Sequence, residues 1–220
     1  MAYIFSLVMA LIFADTVLYG VIVPLIPVYT QVLGLSELSI GAIYAAYSLG
    51  LLLFSMPMGM GAERIGYKKT LSFGVALLSL SCAIYGLVTN ALFLAICRFL
   101  QGVAAAATWT GGLALMAVMY PDRQGEKLGL ILAAMGVGTV LGPPLGGFLY
   151  EYLGYRSMFY VLAMGFLVLL FMILKAKGEL PQAPGGKGQG AKKLPWSSSL
   201  FWLCVVVVWI SSSFGMLEIV

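Results

Sequence analysis

The sequence predicts an all-α, polytopic membrane protein, and three observations carry that prediction. Of its 220 residues, 62% are hydrophobic and only 9% charged, against about half and a quarter in water-soluble domains. The apolar residues fall into runs of about twenty or more, the length a helix needs to cross the hydrocarbon of a bilayer. The charges gather in the short gaps between those runs. A soluble core, a disulfide-stapled secreted domain and a disordered tail are excluded, because too few polar residues remain to cover the apolar ones. Cys82, Cys97 and Cys204 all sit in apolar stretches and read as buried thiols. The chain has no histidine, which excludes His-based triads and His metal sites. No metal or cofactor is expected, and the net charge of +4 does not imply nucleic acid.

Seven apolar stretches read as spans, at about 3–29, 40–60, 71–89, 91–119, 128–149, 157–174 and 198–220. The first is too long for a signal peptide, lacks a basic start and contains Asp15, so it is read as a true span. Ten of the twelve basic residues follow spans 2, 4 and 6: Arg64, Lys68, Lys69, Arg123, Lys127, Lys175, Lys177, Lys187, Lys192 and Lys193. The positive-inside rule makes that side cytoplasmic, together with the N-terminus of a multi-pass protein expected in the cell membrane. Prolines, glycines and lysines from Gly178 to Pro195 mark a flexible connection. The expected organisation is a six-helix domain at 1–177, a cytoplasmic linker at 178–196 and the start of a second half at 197–220. Because the chain stops at Val220, near the far end of that seventh helix, a fragment of a longer protein is expected, one that does not transport alone.

Sliding the sequence by 88 residues aligns Ile43–Tyr67 with Ile131–Tyr155, with nine of 25 positions identical. Gly50/Gly138, Gly59/Gly147, Glu63/Glu151, Gly66/Gly154 and Tyr67/Tyr155 are among them. The bland alternative is shared composition between two Gly/Ala-rich spans. A real repeat relates span 2 to span 5, so its unit is three helices and the second copy is inverted, an architecture of secondary transporters.

Two charges lie inside spans. Asp15 falls about 18 Å from the inner face, and Arg98 about 10 Å from the outer face of a ~30 Å core, so the two are expected at one depth. Ionisable groups there normally face a cavity or a partner and are functional candidates. A structural ion pair is the alternative to a proton or cation site in which helix movement switches protonation. Arg98 keeps its proton, so its expected role is to tune or replace the counter-ion of Asp15. Glu218, late in span 7, is a second candidate carboxylate. Trp109, Tyr19, Tyr44 and Tyr47 read either as packing or as an aromatic face for organic cations.

Gly20, Pro24 and Pro27 are expected to weaken the outer half of span 1. In span 5, Gly138, Gly142, Pro143, Pro144, Gly146 and Gly147 predict a kinked helix that another backbone approaches closely. The run Gly59–Lys69 is read as a loop, with Glu63, Arg64 and the lysines as charged latches or as topogenic charge alone.

These residues resemble the N-terminal half of a major facilitator superfamily transporter, in its twelve-span drug:proton antiporter group. The family's loop motif G-x-L-A-D-R-x-G-R-[RK]-x-x-L is matched at Gly59, Ala62, Arg64, Gly66, Lys68 and Leu71, with Glu63 in place of Asp. R-x-x-Q-G is matched at Arg98, Gln101 and Gly102. The antiporter motif G-x-x-x-G-P-x-x-G-G is matched at Gly138, Gly142, Pro143, Gly146 and Gly147. Val23–Pro27 and Leu217-Glu218 are also similar to the vesicular monoamine transporter branch. The resemblance implies two inverted three-helix repeats plus part of a seventh span. It implies export of hydrophobic or cationic drugs or amines in exchange for protons by alternating access, with Asp15, Arg98 and Glu218 in the proton and substrate roles. The expected partners are protons, a small organic substrate, the bilayer and the missing C-terminal half. Rival readings are an uptake symporter for a small metabolite and a non-transporting scaffold; no enzyme motif is present.

Overall fold

The computed structural model describes residues 2–176. Among these residues every regular element is helical and no strand occurs. The elements are α1 (Ala2–Val21), α2 (Ile26–Gln31), α3 (Glu37–Ile65), α4 (Tyr67–Tyr85), α5 (Ala91–Met119) and α6 (Gln124–Lys175), with 3-10 turns at Val23–Leu25 and Pro121–Arg123. Each predicted span from 3–29 to 157–174 overlaps helix, with α4 ending at Tyr85, short of the expected 89. By length and composition, Ala2–Gln31, Glu37–Ile65, Ala91–Met119 and Pro121–Lys175 can each cross a membrane. The predicted linker and seventh span, with Cys204 and Glu218, lie outside the described residues.

Local chemistry sets the boundaries. Proline supplies no backbone N–H, and the α-ladder of the first span gives way to a 3-10 turn at Val23-Pro24-Leu25 before α2 resumes at Ile26. Ser36 caps α3 by accepting from the Ser39 N–H at 3.3 Å, and Asn90 caps α5 by accepting from Leu92 N–H at 2.9 Å. The expected loop after span 2 is corrected. Helix α3 runs on through Glu63 and Arg64 to Ile65, and α4 begins at Tyr67. Hydropathy reports which residues suit oil, whereas a helix continues into polar surroundings without penalty, so the hydropathy boundary fell several residues short.

At 52 residues, α6 would be about 78 Å long if straight, more than twice the hydrocarbon thickness. It divides at Gly154, whose φ of 74° and ψ of 171° suit only glycine. The arms are 124–153 and 155–175. Gly66, between α3 and α4, has φ 98° and ψ 144°. These two glycines are partners in the 88-residue repeat, so the repeat carries the same unusual backbone turn in both copies. Helical dihedrals continue through Pro143 and Pro144, and the non-helical residue inside α6 is Gly154. Gly154 falls in the connection expected between the spans at 128–149 and 157–174, and a carbon at Cβ bars other residues from its conformation.

The helices pair as α3 with α5, α1 with the first arm of α6, and α4 with both α5 and the second arm. Leu11, Ile12, Leu18, Leu71, Leu78 and Phe159 are buried between them. Tyr29 and Tyr85 share a buried hydroxyl–hydroxyl bond of 2.9 Å, and Tyr155 donates to Tyr85 O at 3.4 Å, joining α2, α4 and α6 at one end. Outward positions are as apolar as the core: Leu52, Met56 and Val140 are each more than 70% exposed. Such surface suits lipid rather than water. Cys82 and Cys97 are buried free thiols, as expected.

Replacing Gly154 with alanine is expected to destabilise the protein by about 1–3 kcal/mol, because the alanine Cβ is strained at this φ and ψ. Gly129→Ala, at an ordinary helical position with open space around it, is expected to be neutral or mildly stabilising. Thermal unfolding of the two detergent-purified variants checks the contrast.

Candidate functional site

Asp15 is fully buried in the middle of α1. Its Oδ2 accepts a hydrogen bond of 2.6 Å from Trp109 Nε1 and a long one of 3.5 Å from Thr108 Oγ1, both on α5. Thr108 also donates to Ala105 O at 3.1 Å, so its one proton is shared. Asp15 Oδ1 has no hydrogen-bond partner among the described residues. The run Val103-Ala104-Ala105-Ala106-Ala107 just before Thr108 is wholly buried. The alanine run meets α4 at Gly74, and α1 approaches α5 at Gly112, where a Cβ would stand 3.0 Å from Val8 Cγ1. Thr108 was missed in the sequence, where a threonine in an apolar helix is ordinary; the signal was its position beside Trp109 at the end of the alanine run.

Arg98 is also fully buried. Its Nη1 donates to Gln101 Oε1 at 3.2 Å. Its guanidinium carbon lies 5.6, 5.6 and 5.5 Å from the ring centroids of Tyr19, Tyr44 and Tyr47, within cation–π range. Arg98 Nε and Nη2 and Gln101 Nε2 have no hydrogen-bond partner among the described residues. Gly102 completes the motif sterically, since a Cβ there would collide with the Tyr47 carbonyl of α3. The spacing R-x-x-Q-G thus places a cation, its hydrogen-bond acceptor and a backbone crossing on one face of α5. The proposed aromatic face divides in two, with three tyrosines around Arg98 and Trp109 bonded to Asp15.

The expectation that both charges share one depth is corrected. Asp15 meets Thr108, ten residues from Arg98, which is roughly 15 Å along α5. Counting inward from opposite faces assumed that each span fits a ~30 Å core, but α5 has 29 residues and measures about 43 Å. Neither ion pair among the described residues involves Asp15 or Arg98. The charges hold separate partners along the α1–α5 interface instead, and Tyr47 lies with Arg98.

The first arm of α6 holds α1 from another direction. Gly138, Gly142 and Gly146, spaced by four, present a groove to α1. A Cβ on Gly142 would stand 2.7 Å from Gly20 Cα, and one on Gly138 3.0 Å from Phe13 O. A Cβ on Gly146 would collide with Val21 O, and one on Gly20 would reach Pro143 Cδ at 3.0 Å. Gly147 has open space around it. Gly50, the repeat partner of Gly138, makes the equivalent approach to Phe99 O on α5.

At the basic end of the bundle, Lys68 Nζ donates to Leu174 O and Ala176 O at 3.0 Å each. A cation on the last carbonyls of a helix satisfies them and suits the helix dipole. Glu63 and Arg64 are exposed at the end of α3, and Gly59 has open space around it. Glu218 lies outside the described residues.

Comparison with known proteins follows the same lines. The family model for the Major Facilitator Superfamily matches residues 6–219. The probable vesicular acetylcholine transporter-B of Danio rerio is 36% identical over 174 residues, covering 73% of this chain and 35% of that protein. The multidrug resistance protein Stp of Mycobacterium tuberculosis (strain CDC 1551 / Oshkosh) is 33% identical over 166 residues, covering 74% of this chain and 30% of that protein. The synaptic vesicular amine transporter of Rattus norvegicus is 31% identical over 136 residues, covering 61% and 26%. The chain spans about a third of the length of these curated relatives.

Within the antiporter motif, Gly142→Ala is expected to lower stability by about 1–3 kcal/mol through overpacking against Gly20, while Gly147→Ala is expected to be tolerated. Parallel melting curves in detergent read the difference. Trp109→Phe keeps the ring but removes the N–H that Asp15 accepts, and is expected to cost about 1–3 kcal/mol. Unchanged stability in Trp109→Phe, with a loss only in the smaller Trp109→Leu, would show that volume, not the bond, matters.

Proposed function

This chain belongs to the major facilitator superfamily, and we propose that it forms the N-terminal part of a proton-coupled antiporter that exports hydrophobic, cationic compounds. It is an integral, multi-pass membrane protein of a transporter family. The observation that carries the finer reading is Asp15: a carboxyl with no solvent exposure, one oxygen held by Trp109 and the other unpartnered among the described residues. A charge so placed costs several kcal/mol and calls for something to neutralise it. A proton does so, and so does an organic ammonium, but the two exclude one another. Exchange of one for the other is antiport.

In this reading Asp15 releases cargo when protonated from the outer side and accepts cargo when deprotonated. Arg98 adjusts the field at Asp15 as α1 and α5 shift. The glycine seam carries α1 and the first arm of α6 together, so that opening and closing move a unit rather than a loose helix. Glu218 supplies a second acidic group from the following span. The N-terminus and the basic connections face the cytoplasm. The access switch takes a second half of the kind the longer relatives contain. The names of the multidrug and vesicular relatives favour organic cations as cargo.

The test is made in the full-length protein reconstituted in vesicles. Asp15→Asn is expected to abolish pH-gradient-driven export of a lipophilic cation such as ethidium while leaving the protein folded, and Asp15→Glu to retain part of it. Undiminished export by Asp15→Asn would remove Asp15 from the coupling, and net accumulation driven by an inward proton gradient would favour the symporter.

A further inference from the structure

Away from the polar site, α4 and the second arm of α6 leave an open apolar groove of about 520 Å³. Its walls include Ala76, Leu80 and Ala83 on α4 and Tyr160, Met164 and Leu167 on α6. Ser79 donates to Ala163 O at 2.9 Å between the buried sides of the two helices and closes the floor. The sequence accounts for the shape, since alanines two turns apart form the trough and longer side chains its rims.

Both walls lead to a lysine at the same end. Lys69 precedes Ala76 by seven residues, two helical turns, and so lies on the same stripe of α4. Lys175 follows Met164 by eleven residues, about three turns, on the matching stripe of α6. Its ammonium sits 4.4 Å over the Phe171 ring. The bonds from Lys68 to Leu174 O and Ala176 O pin the start of α4 to the end of α6, so the two lysine-bearing ends are side by side. Lys69 and Lys175 are both exposed.

We propose that this groove seats an acyl chain of an anionic phospholipid whose headgroup phosphate is held between Lys69 and Lys175. The apolar trough matches the chain. Two lysines at one end of the trough match a headgroup of net negative charge better than a zwitterionic one, which brings its own cation. Lys69 is about 10 Å from Ala76 along α4, within the reach of an ordinary acyl chain below its phosphate. The inference is independent of the transport reading.

Native mass spectrometry of the full-length protein tests it, by titration with palmitoyl-oleoyl phosphatidylglycerol and with the matched phosphatidylcholine. The wild type is expected to retain phosphatidylglycerol preferentially. K69Q/K175Q is expected to bind it roughly ten- to thirty-fold more weakly, and K69R/K175R to keep it. Ala76→Phe, which fills the trough and spares both lysines, is expected to reduce retention as well. Equal retention of the two lipids by the wild type, a preference that survives K69Q/K175Q, undiminished binding in Ala76→Phe, or a protein dimer closing this face in lipid-free detergent would each overturn the proposal.

Discussion

A carboxylate cannot stand alone in hydrocarbon, and the bond that accompanies Asp15 explains much of how the bundle is packed. Trp109 can reach Asp15 Oδ2 at 2.6 Å only if α1 lies close to α5. Large side chains would hold them apart, and here Gly112 of α5 removes that obstacle, since a Cβ there would stand 3.0 Å from Val8 and 3.4 Å from Ile12 of α1. The opposite approach to α1 is made by Gly138, Gly142 and Gly146 of α6, where backbone meets backbone. In a membrane, where lipid chains are as apolar as leucine, such close packing and polar bonds are what join helices. The acid and the glycine seam are therefore two parts of one arrangement, which fixes α1 between α5 and α6.

Arg98 meets the same physical problem with a different solution. Three tyrosine faces and the Gln101 carbonyl oxygen surround its guanidinium, and they come from α1, α3 and α5. Its guanidinium is thus held by groups from three helices at once. Asp15 and Arg98 each keep partners of their own and do not form a contact pair.

Much of the fold was legible before any coordinate. Hydropathy located the helices because oil rewards apolar length, and the 88-residue repeat anticipated that Gly66 and Gly154 would do the same work, as their positive φ angles show. The loop placed at Gly59–Lys69 was misread because polarity and helix termination are different properties. At the site, Asp15 and Arg98 stood out because charge in an apolar run is costly. Thr108 did not, since a hydroxyl can bond its own helix and needs no other partner. The three tyrosines were visible as a set, but that their faces would be occupied by the protein's own arginine was not.

Composition, run length and the spacing of glycines by four determined on their own that this protein is a helical membrane bundle, that another helix approaches span 5 closely and which two charges would need company. Those are consequences of transfer energies and of the 3.6-residue turn, both local to the chain. The tertiary structure alone decided that Asp15 pairs with an indole N–H and not with Arg98, that the glycine seam of α6 meets α1, and that Lys68 closes the end of a helix more than a hundred residues away. Each depends on which helices adjoin and in what register, and register arises from the packing of many side chains at once.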